Sequence, residues 1–329
     1  MSLILPPMLD QHRPLGKFSP NRSFEVECLK MLCEILDDYC KFYDTKYWID
    51  WGTLLGAYRE KKIIDGDLDI DVSCWITEAD HWWEQKQVNL IRAVQKEFFI
   101  RHFSSDYHLA IYPRDFQKFQ MSHIDIYFHR LEGNQLVDGH KNKIFRRFYV
   151  DELETTSLYD QTFPCPRHTK EFLTLRYGAD WQTPQPHSPP GNMGKDKEIY
   201  TAYTAMVGDM FHIGHLNLLQ RCKNLFDKVI VGVHNDEAVV SYKSRPVIPY
   251  PQRLEIIRSC KYVDEVLENA PAITTDQLLD SILADFVVAG REDSEKINRL
   301  YPVRPERLHL IRRTEDVSSS AIKEFVKSV

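Results

Sequence analysis

The sequence predicts an α/β chain of two domains, on three observations. Between Trp181 and Glu198 the stretch WQTPQPHSPPGNMGKDKE carries four prolines and two glycines with almost no apolar residue, so neither a helix nor a sheet ladder runs through it. Beyond it, apolar runs alternate with helical patterns, the arrangement of a parallel sheet covered by helices on both faces. Before it, aspartates recur at alternate positions, Asp67, Asp69 and Asp71, inside an apolar context. With 329 residues, each half is long enough to bury its own core. The boundaries fall at an N-terminal extension, 1–23, a first domain, 24–184, a linker, 185–198, and a second domain, 199–329.

In the first domain, YWIDWGTLLGAYREKKIIDGDLDIDVSCW joins a small-residue turn, Gly52 to Gly56, to the three aspartates. Residues two apart on a strand point to one face, so a strand through Asp67, Asp69 and Asp71 presents three carboxylates together. Clustered anions call for a cation. Magnesium bridging to a substrate diphosphate fits, with Asp125 of HIDIYF on a neighbouring strand as a further carboxylate ligand or base. In the second domain, Ile199 to Val207 reads as a strand, a helix starts near Gly214, KVIVGV (228–233) is a buried strand, and a helix runs from about Tyr250 to Lys261. DEVLE, DFVVAG and RLHLI continue as strands, with TTDQLLDSILA and SSAIKEFVKS as helices.

Whole-chain properties limit the function. A formal charge of −6 leaves no basic surplus for nucleic acid. No run of 18 apolar residues predicts a transmembrane segment, and MSLILPPMLDQHRPLG lacks the basic start and apolar core of a signal peptide, so a cytoplasmic location is expected. Seven cysteines without a C-x-x-C pair argue against a disulfide framework or a structural zinc site.

The stretch GDMFHIGHLNLLQRC, Gly208 to Cys222, places His212 and His215 after the first strand of the second domain and at the start of its first helix. A helix N-terminus offers free N–H groups and partial positive charge, and Gly214 leaves that backbone open to a phosphate. The imidazoles can donate to phosphoryl oxygens as charge moves onto a departing pyrophosphate, which suits a nucleoside triphosphate; the plainer alternative is a helix cap. Near the C-terminus, RRTEDVSSSAIKEF sets Arg312, Arg313 and Thr314 before Ser318, Ser319 and Ser320 at a second helix start.

These paired signatures resemble those of the cytidylyltransferase family of the nucleotidylyltransferase superfamily, His-x-Gly-His and Arg-Thr-x-x-x-Ser-(Ser/Thr)-(Ser/Thr), and the likeness runs through RLEIIRSCKYVDEV (253–266) over essentially 199–329. The class I aminoacyl-tRNA synthetases share the first signature but carry a lysine-rich second one on a much longer domain. The resemblance implies a Rossmann-like domain that joins CTP to a phospho-alcohol, giving a CDP-alcohol and pyrophosphate without a covalent intermediate. It also implies roles: His212, His215, Arg313, Thr314 and the three serines on the phosphates, Lys243 and Arg245 as loop cations, Asp209 near the site entrance, and Arg253 on the phosphates. Departures occur at Met206 to Asp209, where the family usually has Gly-Thr-Phe-Asp, and at Gly290, Arg291, Glu292 and Asp293, where Gly-Asp-Asp or Gly-Asn-Asp is usual. Arg291 adds a cation at the acceptor, which is expected to be glycerol 3-phosphate-like, with phosphoethanolamine, phosphocholine or a phosphonate as alternatives. Homodimers are frequent in that family.

The first domain resembles the LicD family, which includes the fukutin-related proteins, on Gly52, Thr53, Gly56, Arg59, the Asp-x-Asp-x-Asp run and FPCPRHTKEFLTLRYGADWQTP (163–184). That implies an α+β, nucleotidyltransferase-like fold moving a phospho-alcohol from a CDP-linked donor to a glycan acceptor, with Arg59 on donor phosphate. Together the resemblances imply a bifunctional enzyme of surface-glycan decoration, such as capsule or lipopolysaccharide. The alternatives are a cytidylyltransferase carrying a non-catalytic glycan- or partner-binding domain, or a nucleotide-regulated scaffold.

Overall fold

The computed structural model describes residues 22–67, 69–76, 81–104, 108–113, 123–137, 143–184, 199–291, 294–315 and 317–328. The extension through residue 21, Leu68, the linker 185–198, Glu292 and Asp293 lie outside the described residues. The chain divides into two units, 1–196 and 197–329.

In the first unit α1 (Ser23–Tyr43) buries Val26, Leu29, Cys33, Leu36 and Cys40, a stripe at helical spacing. After β1 (Lys46–Ile49) comes α2 (Trp51–Arg59), then β2 (Asp69–Ile76), α3 (His81–Glu97), β3 (Phe98–Ser104), β4 (His108–Pro113), β5 (His123–Glu132), β6 (Gln135–Val137) and β7 (Lys143–Arg146). The sheet runs β1-β2-β5-β4-β3, with β6 beside β5 and β7 beside β6. Only the β2–β5 pairing is parallel among its described strand pairs, which sets Asp69 opposite His123 and Asp71 opposite Asp125. A hairpin, β8 (Glu154–Leu158) and β9 (Gln161–Cys165), leads into α4 (Thr169–Tyr177).

Gly52 to Gly56 is not a turn but the body of α2, which forms because the Asp50 carboxylate caps it, accepting from Trp51 N–H at 2.8 Å, while Thr53, Leu54, Leu55 and Ala57 are buried. Asp67 is not on the strand: its N–H donates to Ile64 C=O at 3.0 Å, closing a turn through Gly66 (φ +89°) before β2 begins. A positive φ of that kind costs glycine least, and the turn replaces strand pairing at Asp67.

The second unit holds β10 (Thr201–Met206), α5 (Ile213–Leu225), β11 (Lys228–Val233), α6 (Asp236–Val240), α7 (Tyr250–Arg258), β12 (Glu265–Leu267), α8 (Asp276–Ser281), β13 (Phe286–Gly290), α9 (Ser294–Leu300), β14 (Leu308–Ile311) and α10 (Ser319–Ser328). Its five strands are all parallel in the order β12-β11-β10-β13-β14. The order reverses between β10 and β13, where an open parallel sheet leaves a crevice at its carboxyl edge. Tyr203, Ile230 and Val287 of the three central strands pack with Leu279 and Ala284 as a buried cluster.

Candidate active sites

In the second unit, β10 ends at Met206 and the chain turns through Gly208 into α5, whose N-cap is His212. His212 Nδ1 accepts the Gly214 N–H at 3.1 Å, and His215 Nδ1 accepts the His212 N–H at 3.3 Å, a reciprocal capping box. With both Nδ1 atoms accepting, each neutral ring carries its proton on Nε2. Burial, then the nearby His212 and Lys243 charges, push His215 down to about 4, and burial lowers His212, so both act as neutral donors at pH 7. The rings lie 4.0 Å apart. A Cβ on Gly214 would sit 2.9 Å from the His212 ring, so the bare glycine admits the imidazole that caps it as well as opening the helix end.

The second helix start meets the first. Ser318 Oγ accepts the Ala321 N–H at 3.1 Å, capping α10, while Ser319 Oγ lies 3.4 Å from His212 Nε2 and donates to Asp209 C=O at 2.8 Å. Thr314 Oγ1 accepts from Asn217 Nδ2 at 3.1 Å, tying the approach to α10 onto α5. Asp209, His215, Lys243, Ser319, Ser320 and Lys323 line one pocket. Lys323 was not found from the sequence. It lies one turn beyond Ser320 on α10, and its ammonium pairs with Asp209 Oδ2 at 2.6 Å.

Several residues take other places than expected. Asp209 lies buried rather than at an entrance: it accepts from Val247 and Ile248 N–H at 3.0 Å and binds Lys323, and these bonds hold its carboxyl below the usual range against the opposing effect of burial. Arg253 is fully buried and serves the scaffold, donating to Ile248 C=O, to His234 C=O, to Val207 C=O and to Asp236 Oδ1 at 2.6 Å. Four of its five guanidinium N–H groups are thus engaged within the protein. Arg245, Arg291 and Arg313 are exposed, and a Cβ on Gly290 would meet the Arg313 stem at 2.8 Å.

In the first unit, the N-terminus of α2 and the edge of β2 assemble the carboxylates. A Cβ on Gly52 would lie 2.5 Å from Asp67 Oδ2 and 3.6 Å from Asp71 Oδ2, so the bare glycine makes room for both oxygens. Gly52 N–H donates to Asp71 Oδ2 at 3.2 Å, and Thr53 Oγ1 accepts the Asp71 N–H at 2.9 Å, so Thr53 holds the strand. Gly56 admits the Lys62 carbonyl, which a Cβ would meet. Arg59, expected on phosphate, is ion-paired with Glu60. Burial, then Asp69, Asp67, Asp125 and Asp50, push the Asp71 carboxyl well above its usual range. Asp125 goes the other way: burial opposes its charge, but hydrogen bonds from His108 (2.8 Å to Oδ1) and His123 (3.0 Å to Oδ2) hold it at about 2. Oxygen donors concentrated in this way fit a hard divalent cation such as magnesium, and a cation there would offset the carboxylate repulsion that adds to burial in raising the Asp71 carboxyl.

Beneath the carboxylates lies a hub the sequence did not reveal. Asp50 Oδ2 accepts from Arg176 Nη2 at 2.5 Å, from Ser73 Oγ at 2.7 Å and from Trp48 Nε1 at 3.2 Å, with both partners of the ion pair fully buried. The Arg176 guanidinium lies 3.9 Å above the Trp51 ring, whose residue is held at φ +45°. This pins the start of α2 under Asp67 and Asp71.

Comparison with known proteins agrees with this division. Residues 208–325 match the family model described as cytidylyltransferase-like, and residues 44–168 match that of the LicD/FKTN/FKRP nucleotidyltransferase domain. Over 131 residues the chain is 36% identical to an ethanolamine-phosphate cytidylyltransferase of Dictyostelium discoideum, covering 39% of this chain and 36% of that one. Over 149 residues it is 35% identical to a probable choline-phosphate cytidylyltransferase of Schizosaccharomyces pombe (strain 972 / ATCC 24843), covering 41% and 39%. The chain thus spans little more than a third of the length of these curated relatives. The crystal structure of the lipopolysaccharide core biosynthesis protein from Thermoplasma volcanium GSS1 aligns with a TM-score of 0.29 at 21% identity, over 35% of this chain and 97% of that chain. Among the described residues no helix is long and apolar enough to cross a membrane.

Proposed function

We propose that the second unit, which matches the cytidylyltransferase-like family, transfers the cytidylyl group of CTP to a small phospho-alcohol of the phosphoethanolamine or phosphocholine class. The observation that carries this reading is the meeting of two capped helix starts at one pocket, with His212 Nε2 and Ser319 Oγ 3.4 Å apart. The names of the matched relatives favour an amino-alcohol phosphate over a glycerol phosphate. A phosphate oxygen of the acceptor attacks the α-phosphorus, the bond to the bridging oxygen breaks, and pyrophosphate leaves. His212 and His215 donate from Nε2 to the charge gathering on the phosphates, and Lys243 and Lys323 supply cations. Arg291 and Arg313, both exposed, would contact the acceptor and the phosphates.

Asp209 keeps its backbone N–H partners when Lys323 turns to a phosphate, so the lysine is free to exchange one anion for another. Lys323→Met should raise the KM for CTP by about tenfold, the scale of one charge-assisted contact, with little change in the KM for the phospho-alcohol. Initial-rate kinetics with each substrate varied in turn would show it. Equal effects on both substrates would move Lys323 out of the triphosphate site.

The LicD match and the carboxylate face support a second activity, transfer of the phospho-alcohol from the CDP-alcohol to a surface-glycan hydroxyl with release of CMP. Asp67, Asp69, Asp71 and Asp125 would hold a divalent cation, which would supply positive charge to the donor diphosphate. The rival is a non-catalytic glycan- or partner-binding domain. Asp69→Asn keeps the side-chain shape and removes one charge, so CMP release with glycan extract should fall by on the order of 100-fold while CDP-alcohol synthesis continues unchanged. Equal CMP release by parent and variant would favour the rival.

A further inference from the structure

The parallel register of β2 and β5 places four side chains on one sheet face: Asp69 and Asp71 on β2, His123 and Asp125 on β5. His123 therefore stands among the carboxylates. One oxygen of Asp69, one oxygen of Asp125 and one ring nitrogen of His123 all lie within 4.8 Å of one another. His123 Nε2 is 3.0 Å from Asp125 Oδ2 and 3.9 Å from Asp69 Oδ2. Bonds of roughly 2.1 Å to one octahedral ion put neighbouring donor atoms about 3 Å apart and opposite ones about 4.2 Å apart. The spacing matches a single ion without rebuilding the sheet.

His108, on β4, supplies the outer support. Its Nε2 engages the other oxygen, Asp125 Oδ1, at 2.8 Å, and its ring stacks on Tyr127 at 4.9 Å and 12°. With Oδ1 held from outside, Asp125 offers Oδ2 alone toward His123 and Asp69, the way an outer hydrogen bond orients a ligating carboxylate.

We propose that His123 is a nitrogen ligand of the divalent cation bound by Asp69 and Asp125, and that the first unit therefore favours a first-row transition ion of the manganese(II) type over magnesium. This rests on the metal-dependent reading of the first unit given above. Magnesium accepts carboxylate and water readily but imidazole poorly, whereas manganese(II) takes all three. In the bound state the Nε2 lone pair faces the ion, so the ring proton resides on Nδ1.

The test is electron paramagnetic resonance of the full chain titrated with manganese(II), with electron spin-echo modulation to detect a directly bound imidazole nitrogen. The parent should bind the ion and show nitrogen modulation. His123→Ala should lose that modulation and weaken manganese binding by about 10–100-fold, while magnesium affinity, read by competition, changes far less. His123→Asn, which retains a donor to Asp125, should lose the modulation with an unchanged tryptophan fluorescence melting profile, separating lost ligation from lost folding. Manganese bound without nitrogen modulation in the parent, or modulation that survives in both His123 variants, would overturn the assignment of His123 while leaving the carboxylate cation site intact. A parent that binds neither ion would overturn the metal-dependent reading itself.

Discussion

Replacing Arg176 with methionine should unfold the first unit at markedly lower denaturant, a loss of about 3–5 kcal/mol, the scale for removing one partner of a buried ion pair. The Asp50 carboxylate would keep the Ser73 and Trp48 donors but would lose the only guanidinium against it among its described hydrogen-bond partners, in a site with no exposure. The cation over the Trp51 ring would go with it. All six tryptophans, at positions 48, 51, 75, 82, 83 and 181, belong to the first unit, so tryptophan fluorescence reports its unfolding alone. The urea midpoint should fall while CTP-dependent pyrophosphate release survives. An unchanged midpoint would mean that Asp50 is satisfied by its neutral donors and that the ion pair adds nothing.

His215→Ala should lower pyrophosphate release from CTP by on the order of 100-fold or more, as expected when a preorganised donor to developing charge is removed. The geometry supplies the reason. Nδ1 is fixed by the His212 N–H, the Nε2 proton is left for substrate, and burial keeps the ring neutral, with its pKa near 4. Loss of the cap alone costs about 1 kcal/mol of stability, which leaves the unit folded and active. A small fall in melting temperature with a large fall in kcat is therefore the expected pair of results. A stability loss without a rate loss would reduce the two histidines to a helix cap.

The second unit was legible because a parallel strand buried on both faces reads as an unbroken apolar run, and KVIVGV coincides with β11 at Lys228–Val233. Both helix starts stood out because serine and histidine caps are local signals. The helices α6 and α9 escaped, since five and seven residues are too short to show a 3.6-residue period. Arg253 and Asp209 carried motif positions, yet their roles depend on which backbone groups fold against them, Val207, His234, Val247 and Ile248. That information is not local.

The first unit was read less fully for the same reason. Gly-Thr-Leu-Leu-Gly looks like a turn until the Asp50 cap and the buried leucines are seen to close a helix. The run of alternating aspartates predicted a strand, but the Gly66 turn detaches Asp67 from it. Asp50 and Arg176 are separated by 126 positions, and no periodicity connects them. His108 reaches Asp125 only through the antiparallel pairing of β4 with β5, and Asp69 meets His123 only through the parallel pairing of β2 with β5, which the sequence of each strand does not disclose; His123 itself stands two positions before Asp125 on β5, on the same face.

The pocket between the two helix starts is expected to exchange pyrophosphate on CTP for a phospho-alcohol. Incubating the purified full chain with CTP or ATP and a panel of phosphoethanolamine, phosphocholine and glycerol 3-phosphate, with product masses and pyrophosphate recorded together, would show the exchange. A CDP-alcohol should form one for one with pyrophosphate, CTP should be used well ahead of ATP, and an amino-alcohol phosphate ahead of glycerol 3-phosphate. ATP used as readily as CTP, or pyrophosphate released without any CDP-alcohol, would contradict this expectation.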